Sequence, residues 1–115
     1  MKVAIIGVGL IGGSLALKLS EKKFANQFSG IDQSREHLQE ALDLGIIDIA
    51  ENLENGVKNA DLIIVAIPVD ATVKILPQVL DLISEKQTVM DVGSTKSGIV
   101  AAIKNQKKKK RFVAF

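Results

Sequence analysis

The stretch Val3 to Gly13, VAIIGVGLIGG, decides how the rest of this chain reads. Val3, Ala4, Ile5 and Ile6 form a continuous apolar run, the pattern of a strand buried on both faces. The run ends at Gly7. With Gly9 and Gly12 it gives G-x-G-x-x-G, and Ser14 to Leu19 reads as a helix. This is the strand–turn–helix context that a dinucleotide fingerprint requires. Gly7 permits the tight turn. At Gly9 any Cβ would hold the backbone away from a pyrophosphate. Gly12 lets the helix lie close on the strand, whose partner helix then turns free N–H groups and its positive dipole end to the phosphates. Glycine-rich turns also serve purely structural ends, so the motif needs support. Asp32 supplies it. This acid ends a second strand-like run, Phe28 to Ile31, 20 residues past Gly12. That is the spacing of the acid that holds a ribose in such folds.

Composition narrows the class. The 115 residues suffice for one domain with a real core. Hydrophobic residues make up 47% and aromatics 3%, so the core must be aliphatic, as suits a parallel sheet covered by helices. The absence of cysteine excludes disulfides, thiolate metal sites and a cysteine nucleophile, and one histidine excludes a multi-histidine metal cluster. A net charge of +2 does not by itself point to nucleic acid. No apolar run reaches membrane-spanning length, and the chain enters a strand without a signal peptide. A soluble cytoplasmic protein is expected.

Outward from the glycine turn, strands and helices alternate. A first helix is predicted over about Leu10 to Lys22, with Ile11, Leu15 and Leu19 facing the sheet. Phe28 to Asp32 is the second strand. Ser34 is a good N-cap for a helix with Leu38, Ala41 and Leu42 as its buried stripe and Gly45 as its stop. His37 lies beside that stripe and reads as a surface or boundary residue rather than a catalytic one, since nothing in the sequence supplies partners for it. Ile46 to Ile49 reads as a short third strand, and Leu53 to Lys58 as a short helix or turn, with Gly56 weakening the helix. Leu62 to Ile67, LIIVAI, is a central parallel strand closed by Pro68. Asp70 to Ser84 is helical, with Val73, Leu76, Val79 or Leu80, and Ile83 inward. Pro77 inside it predicts a kink or two short helices. Thr88 to Val92 is a fifth strand, Thr95 to Asn105 a helix, and Arg111 to Phe115 a sixth strand. Together these predict one dinucleotide-binding domain, residues 1–115, an α/β doubly wound, Rossmann-like parallel sheet of six strands in the order 3-2-1-4-5-6. The basic run Gln106 to Arg111, QKKKKR, reads as a solvated loop. The alternative, a nucleic-acid or anion patch, lacks interleaved aromatics.

In such a sheet the ligand lies at the carboxyl ends of the strands. Gly7, Gly9, Leu10, Ile11, Gly12, Asp32, Gln33, Ala66, Ile67, Pro68 and Gly93 are therefore the candidate cofactor-binding residues, and no metal is expected. Ser94 has two readings, as N-cap of the following helix or as a hydroxyl that orients a nicotinamide ring and its substrate. Lys96, in the first turn of that helix, is either tolerated at the surface or holds an anion. Asp32 favours NAD, because its carboxylate accepts from ribose hydroxyls and repels a 2′-phosphate.

Four blocks, GVGLIGGSLA (7–16), ALDLGIID (41–48), ADLIIVAIPV (60–69) and DVGSTKSGIV (91–100), resemble the prephenate dehydrogenase family. The first block is widely shared, and DVGSTK following ADLIIVAIPV is the specific one. The resemblance implies an NAD-dependent oxidative decarboxylation of prephenate, or of arogenate, in tyrosine biosynthesis. It also implies a site role for Ser94 near the substrate hydroxyl, and a cofactor role for Gly7, Gly9, Gly12 and Asp32. In the family a His-Pro motif and a mostly helical domain follow the sixth strand, and supply the catalytic histidine, substrate contacts and homodimer interface. The sequence stops at Phe115, so the chain is expected to bind cofactor without turning over substrate by itself. A non-catalytic dinucleotide sensor is the other class of function that the motifs allow.

Overall fold

The computed structural model of the chain describes residues 1–9, 25–91 and 112–114. Six strands form one parallel sheet: β1 (Lys2–Ile6), β2 (Gln27–Ile31), β3 (Ile49–Ala50), β4 (Leu62–Val65), β5 (Thr88–Asp91) and β6 (Phe112–Ala114). Their order is β3-β2-β1-β4-β5-β6, the order predicted. β1 sits at the centre, with Ile6 paired to Ile31 on one side and to Val65 on the other. The strand order reverses at β1, so the carboxyl ends of β1, β2 and β4 meet around a crevice.

The continuous apolar runs have a direct cause. Ala4 and Ile6 of β1 and Ile63 and Val65 of β4 pack on one face of the sheet with Val57, Leu76, Val79, Leu80 and Ile83. Val3, Ile5 and Ile64 pack on the other face with Phe28, Ala41 and Ile47. Successive side chains point to opposite faces of a strand, so a sheet covered on both sides needs apolar residues at every position.

Three helices are described: α1 (Arg35–Asp43), α2 (Leu53–Asn59) and α3 (Val69–Leu82). Ser34 caps α1, its Oγ accepting from the His37 amide at 3.3 Å, and Gly45 follows the helix with φ +73°. Asn52 caps α2 in the same way, accepting from the Asn55 amide at 2.8 Å. Gly56 does more than weaken α2. A Cβ there would lie 2.5 Å from Ile31 Cδ1, so this glycine is what lets α2 press against β2.

The structure corrects several boundaries. β3 is Ile49–Ala50, not 46–49. Ile47 is instead buried in the core, while the Ile46 and Ile47 amides both donate to Ala41 O and hold this segment against the end of α1. β4 ends at Val65, two residues before Ile67. α3 runs through Pro77 without dividing. Pro77 removes the bond to the Val73 carbonyl, but Val73 stands on the outer side of the helix, 37% exposed, where water is available. Its place on the buried face is taken by Thr72, whose hydroxyl donates to the Ile67 and Pro68 carbonyls. Packing of Leu76, Val79, Leu80 and Ile83 on the sheet holds the helix together across the proline. The predicted helices over 10–22 and 95–105 and the basic run 106–111 lie outside the described residues.

Gln87, just before β5, ties the layers together. Its Nε2 donates to the Val57 and Ala60 carbonyls at the end of α2, each at 2.6 Å, and its Oε1 accepts from the Ser84 amide at 2.8 Å.

Candidate functional site

The site begins where β1 stops. Gly7 has φ +92°, a left-handed conformation that side chains rarely tolerate. A Cβ there would also lie 2.5 Å from Ile67 Cγ2 and 2.6 Å from the Ala66 carbonyl oxygen. The turn is therefore pressed against the end of β4. The Gly7 amide donates to Ile31 O at 2.7 Å, which carries the β1–β2 ladder one step past the strands. Gly9 is different. Its φ is ordinary, and no atom of the described residues lies within 4 Å of where its Cβ would be. Nothing in the described protein requires glycine there.

Asp32 follows β2 directly. Its Oδ1 accepts from the Ser34 amide at 2.8 Å, and its Oδ2 accepts from the Val8 amide at 3.1 Å. The carboxylate is thus fixed from both sides, by its own turn and by the glycine turn. Its side chain keeps 14% of its surface exposed. The His37 ring stands close by, with Nδ1 3.4 Å from Asp32 Oδ2. The sequence left His37 without a partner. The partner is Asp32, one turn back on the entry to α1.

These groups open onto a cleft of about 550 Å³ at the carboxyl ends of β1, β2 and β4. Of the sequence-predicted residues, Gly7, Asp32, Gln33, Ile67 and Pro68 line it together. Ala66 lies behind, its carbonyl against Gly7. Leu10, Ile11, Gly12, Gly93 and Ser94 lie outside the described residues, as does Lys96. The cleft has walls that the sequence did not reveal. Glu51, Asn52 and Leu53 come from the β3–α2 junction, and Ala71, Lys74, Ile75 and Gln78 from α3. No motif marks them, because only the sheet order brings their segments beside Asp32. Glu51 Oε2 is buried and has no hydrogen-bond partner among the described residues. An acceptor of that kind is costly unless something donates to it.

The cleft is apolar along Ile31, Ile67, Pro68 and Ile75 and carries carboxylates at Asp32 and Glu51. A flat base fits the first kind of surface, and sugar hydroxyls or an amino group fit the second. Among the described residues no group of three or more His, Cys, Asp or Glu side chains is placed to hold a metal ion. None of the described helices is long and apolar enough to cross a membrane.

A parallel sheet with this strand order, a glycine turn after β1 and an acid after β2 defines a nucleotide-binding domain of the doubly wound class. The chain belongs to the family described as prephenate dehydrogenase, nucleotide-binding domain, whose model matches residues 15–115. That match begins after the glycine turn and so does not rest on it. The prephenate dehydrogenase of Lactococcus lactis subsp. cremoris is 40% identical over 101 residues, which is 86% of this chain and 28% of that protein. The chain therefore spans little more than a quarter of that relative. Among solved structures, prephenate dehydrogenase from A. aeolicus, in complex with hydroxyphenyl propionate and NAD+, superposes with a TM-score of 0.87. It is 34% identical, over 99% of this chain and 40% of that one. Synechocystis arogenate dehydrogenase superposes with a TM-score of 0.79 at 25% identity, over 93% of this chain and 38% of that one.

Proposed function

We propose that this chain is the NAD-binding domain of a prephenate dehydrogenase, which converts prephenate to 4-hydroxyphenylpyruvate by oxidative decarboxylation in tyrosine biosynthesis. The observation that carries the reading is the Asp32 carboxylate, held by the Val8 amide at 3.1 Å at the mouth of the glycine turn. NAD, when bound, supplies the acceptor for the hydride that leaves the substrate ring. The residues of this chain bind and orient it. Asp32 accepts hydrogen bonds from the adenosine ribose, and its charge disfavours a 2′-phosphate. The backbone at Gly7 and Gly9 leaves room for the pyrophosphate, in keeping with the open space beside Gly9. Ile67, Pro68 and Ile75 cover the base and exclude water, and Glu51 Oε2 offers an acceptor to its amino group. Leu10, Ile11, Gly12, Gln33, Ala66 and Gly93 complete the proposed cofactor contacts. Ser94 is the proposed catalytic residue, its hydroxyl orienting substrate against the nicotinamide.

The reading extends to a homodimeric, cytoplasmic enzyme whose remaining length supplies the catalytic histidine and the substrate contacts. Arogenate is the second candidate substrate, favoured by the likeness to Synechocystis arogenate dehydrogenase. The test is twofold. The chain is titrated with NAD and NADP, and the full-length enzyme is given prephenate or arogenate with NAD while reduced cofactor is followed by absorbance. Tight NAD binding with prephenate-dependent reduction is expected. Cofactor binding without reduction on either substrate would leave only a dinucleotide sensor.

A further inference from the structure

We propose that His37 tunes the dinucleotide preference of the site, closing Asp32 to the NAD ribose when the imidazole is protonated and opening it when the ring is neutral. This rests on the reading above, in which Asp32 receives the ribose hydroxyls.

A carboxylate offers about four lone-pair sites, two on each oxygen. Among the described residues, one site on Oδ1 is taken by the Ser34 amide and one on Oδ2 by the Val8 amide. A grip on both ribose hydroxyls needs one remaining site on each oxygen. His37 Nδ1 stands 3.4 Å from Oδ2, within reach of the site that remains there. The contact is long, and the His37 side chain is 54% exposed, so water competes for the ring. Protonation changes what the ring does. A neutral imidazole carries its proton on either nitrogen and can leave Nδ1 as an acceptor, which a carboxylate repels. A protonated imidazole donates from both nitrogens and makes a charge-assisted bond to Oδ2. It then occupies the site that a ribose hydroxyl needs. It also offsets the charge on Asp32 and adds a cation beside the place where a 2′-phosphate would lie.

The sign follows from linkage. NAD prefers the site with His37 unprotonated, so NAD and the proton oppose one another, and NAD affinity falls as the pH falls. NADP prefers the protonated ring, so its affinity rises. Among the described residues, α1 also carries Arg35, Glu36 and Glu40, and Glu51 after β3 and Lys74 on α3 line the cleft with Asp32. His37 is the single histidine of the chain, so it is the one side chain of the type that ordinarily changes charge between about pH 5 and 8.

The experiment measures dissociation constants for NAD and NADP from about pH 5.5 to about pH 8.5, in the wild-type chain and in His37→Asn and His37→Ala. Exposed ion pairs contribute up to about 1 kcal/mol, roughly a fivefold effect on NAD. With the opposite trend for NADP, the preference for NAD is expected to drop about tenfold from the alkaline to the acid end. Both variants should lose this trend, and in His37→Ala the acid-end NAD affinity should equal that of the wild type at alkaline pH. A second readout is the NMR titration of the single histidine, whose midpoint should fall on adding NAD and rise on adding NADP. A pH trend that persists in both variants, or a midpoint that neither dinucleotide moves, would overturn the role of His37 while leaving the binding site intact. Failure of the wild type to bind NAD at any pH would overturn both this role and the NAD-binding reading beneath it.

Discussion

The Val8 amide donates to Asp32 Oδ2 at 3.1 Å, joining the turn after β1 to the acid after β2 across 24 positions of sequence. The bond fixes the acid relative to the glycine turn. Such pre-positioning spares the ordering cost that a free side chain would impose on binding.

Asp32→Ala tests the assignment of that acid. Hydrogen bonds to charged groups contribute about 1.5–3 kcal/mol, so NAD affinity should fall roughly tenfold to a hundredfold. NADP affinity should hold or improve, because the repulsion of its phosphate is gone. Calorimetric titration with both dinucleotides reads the change, and an unaltered NAD preference would show that Asp32 does not receive the ribose.

Gly7 and Gly9 should fail in different ways. Gly7→Ala places a Cβ within 2.6 Å of the Ala66 carbonyl oxygen in a left-handed backbone, so the fold itself should lose about 1–3 kcal/mol or more. Gly9→Ala meets no described protein atom. Its urea midpoint should stay near that of the wild type while NAD binding weakens. Chemical denaturation and cofactor titration on the same two variants separate the effects.

Leu80→Ala probes the face under α3. Leu80 is buried with Ile63, Leu76 and Val79, and its truncation leaves a cavity between α3 and the sheet. A loss of about 2–5 kcal/mol is expected, with little change in cofactor preference.

Gln87→Ala removes the two 2.6 Å bonds to the Val57 and Ala60 carbonyls and the 2.8 Å bond from the Ser84 amide. The expected cost is about 1–3 kcal/mol. Hydrogen exchange should show it first at the end of α2 and the start of β5.

The 115-residue chain by itself should bind NAD and give no detectable reduction with prephenate. It spans 28% of the Lactococcus enzyme, and substrate orientation and proton transfer are together worth many orders of magnitude in rate. Turnover within about tenfold of a full-length relative would refute this, since both contributions would have to be present in the chain.

By itself the sequence determined five of the six strands, the tight turn at Gly7 and the sheet order. Those features rest on local signals: apolar runs such as Val3–Ile6 and Leu62–Val65, the Ser34 cap, and Gly7, whose left-handed turn few other residues adopt. The spacing of Asp32 also placed it beside the glycine turn, where the Val8 amide donates to it, because a β–α–β unit has nearly constant length. What only the tertiary structure decided depends on segments distant in sequence. α3 continues past Pro77 because four side chains pack it onto the sheet, and packing outweighs a local propensity. β3 falls at Ile49–Ala50 because Ile47 is drawn into the core beside α1. The Glu51 and Lys74 walls of the cleft, the Gln87 clamp and the Val8–Asp32–His37 contact carry no periodicity or motif. Each exists only once the parallel order of the strands has brought β1, β2, β3 and β4 side by side.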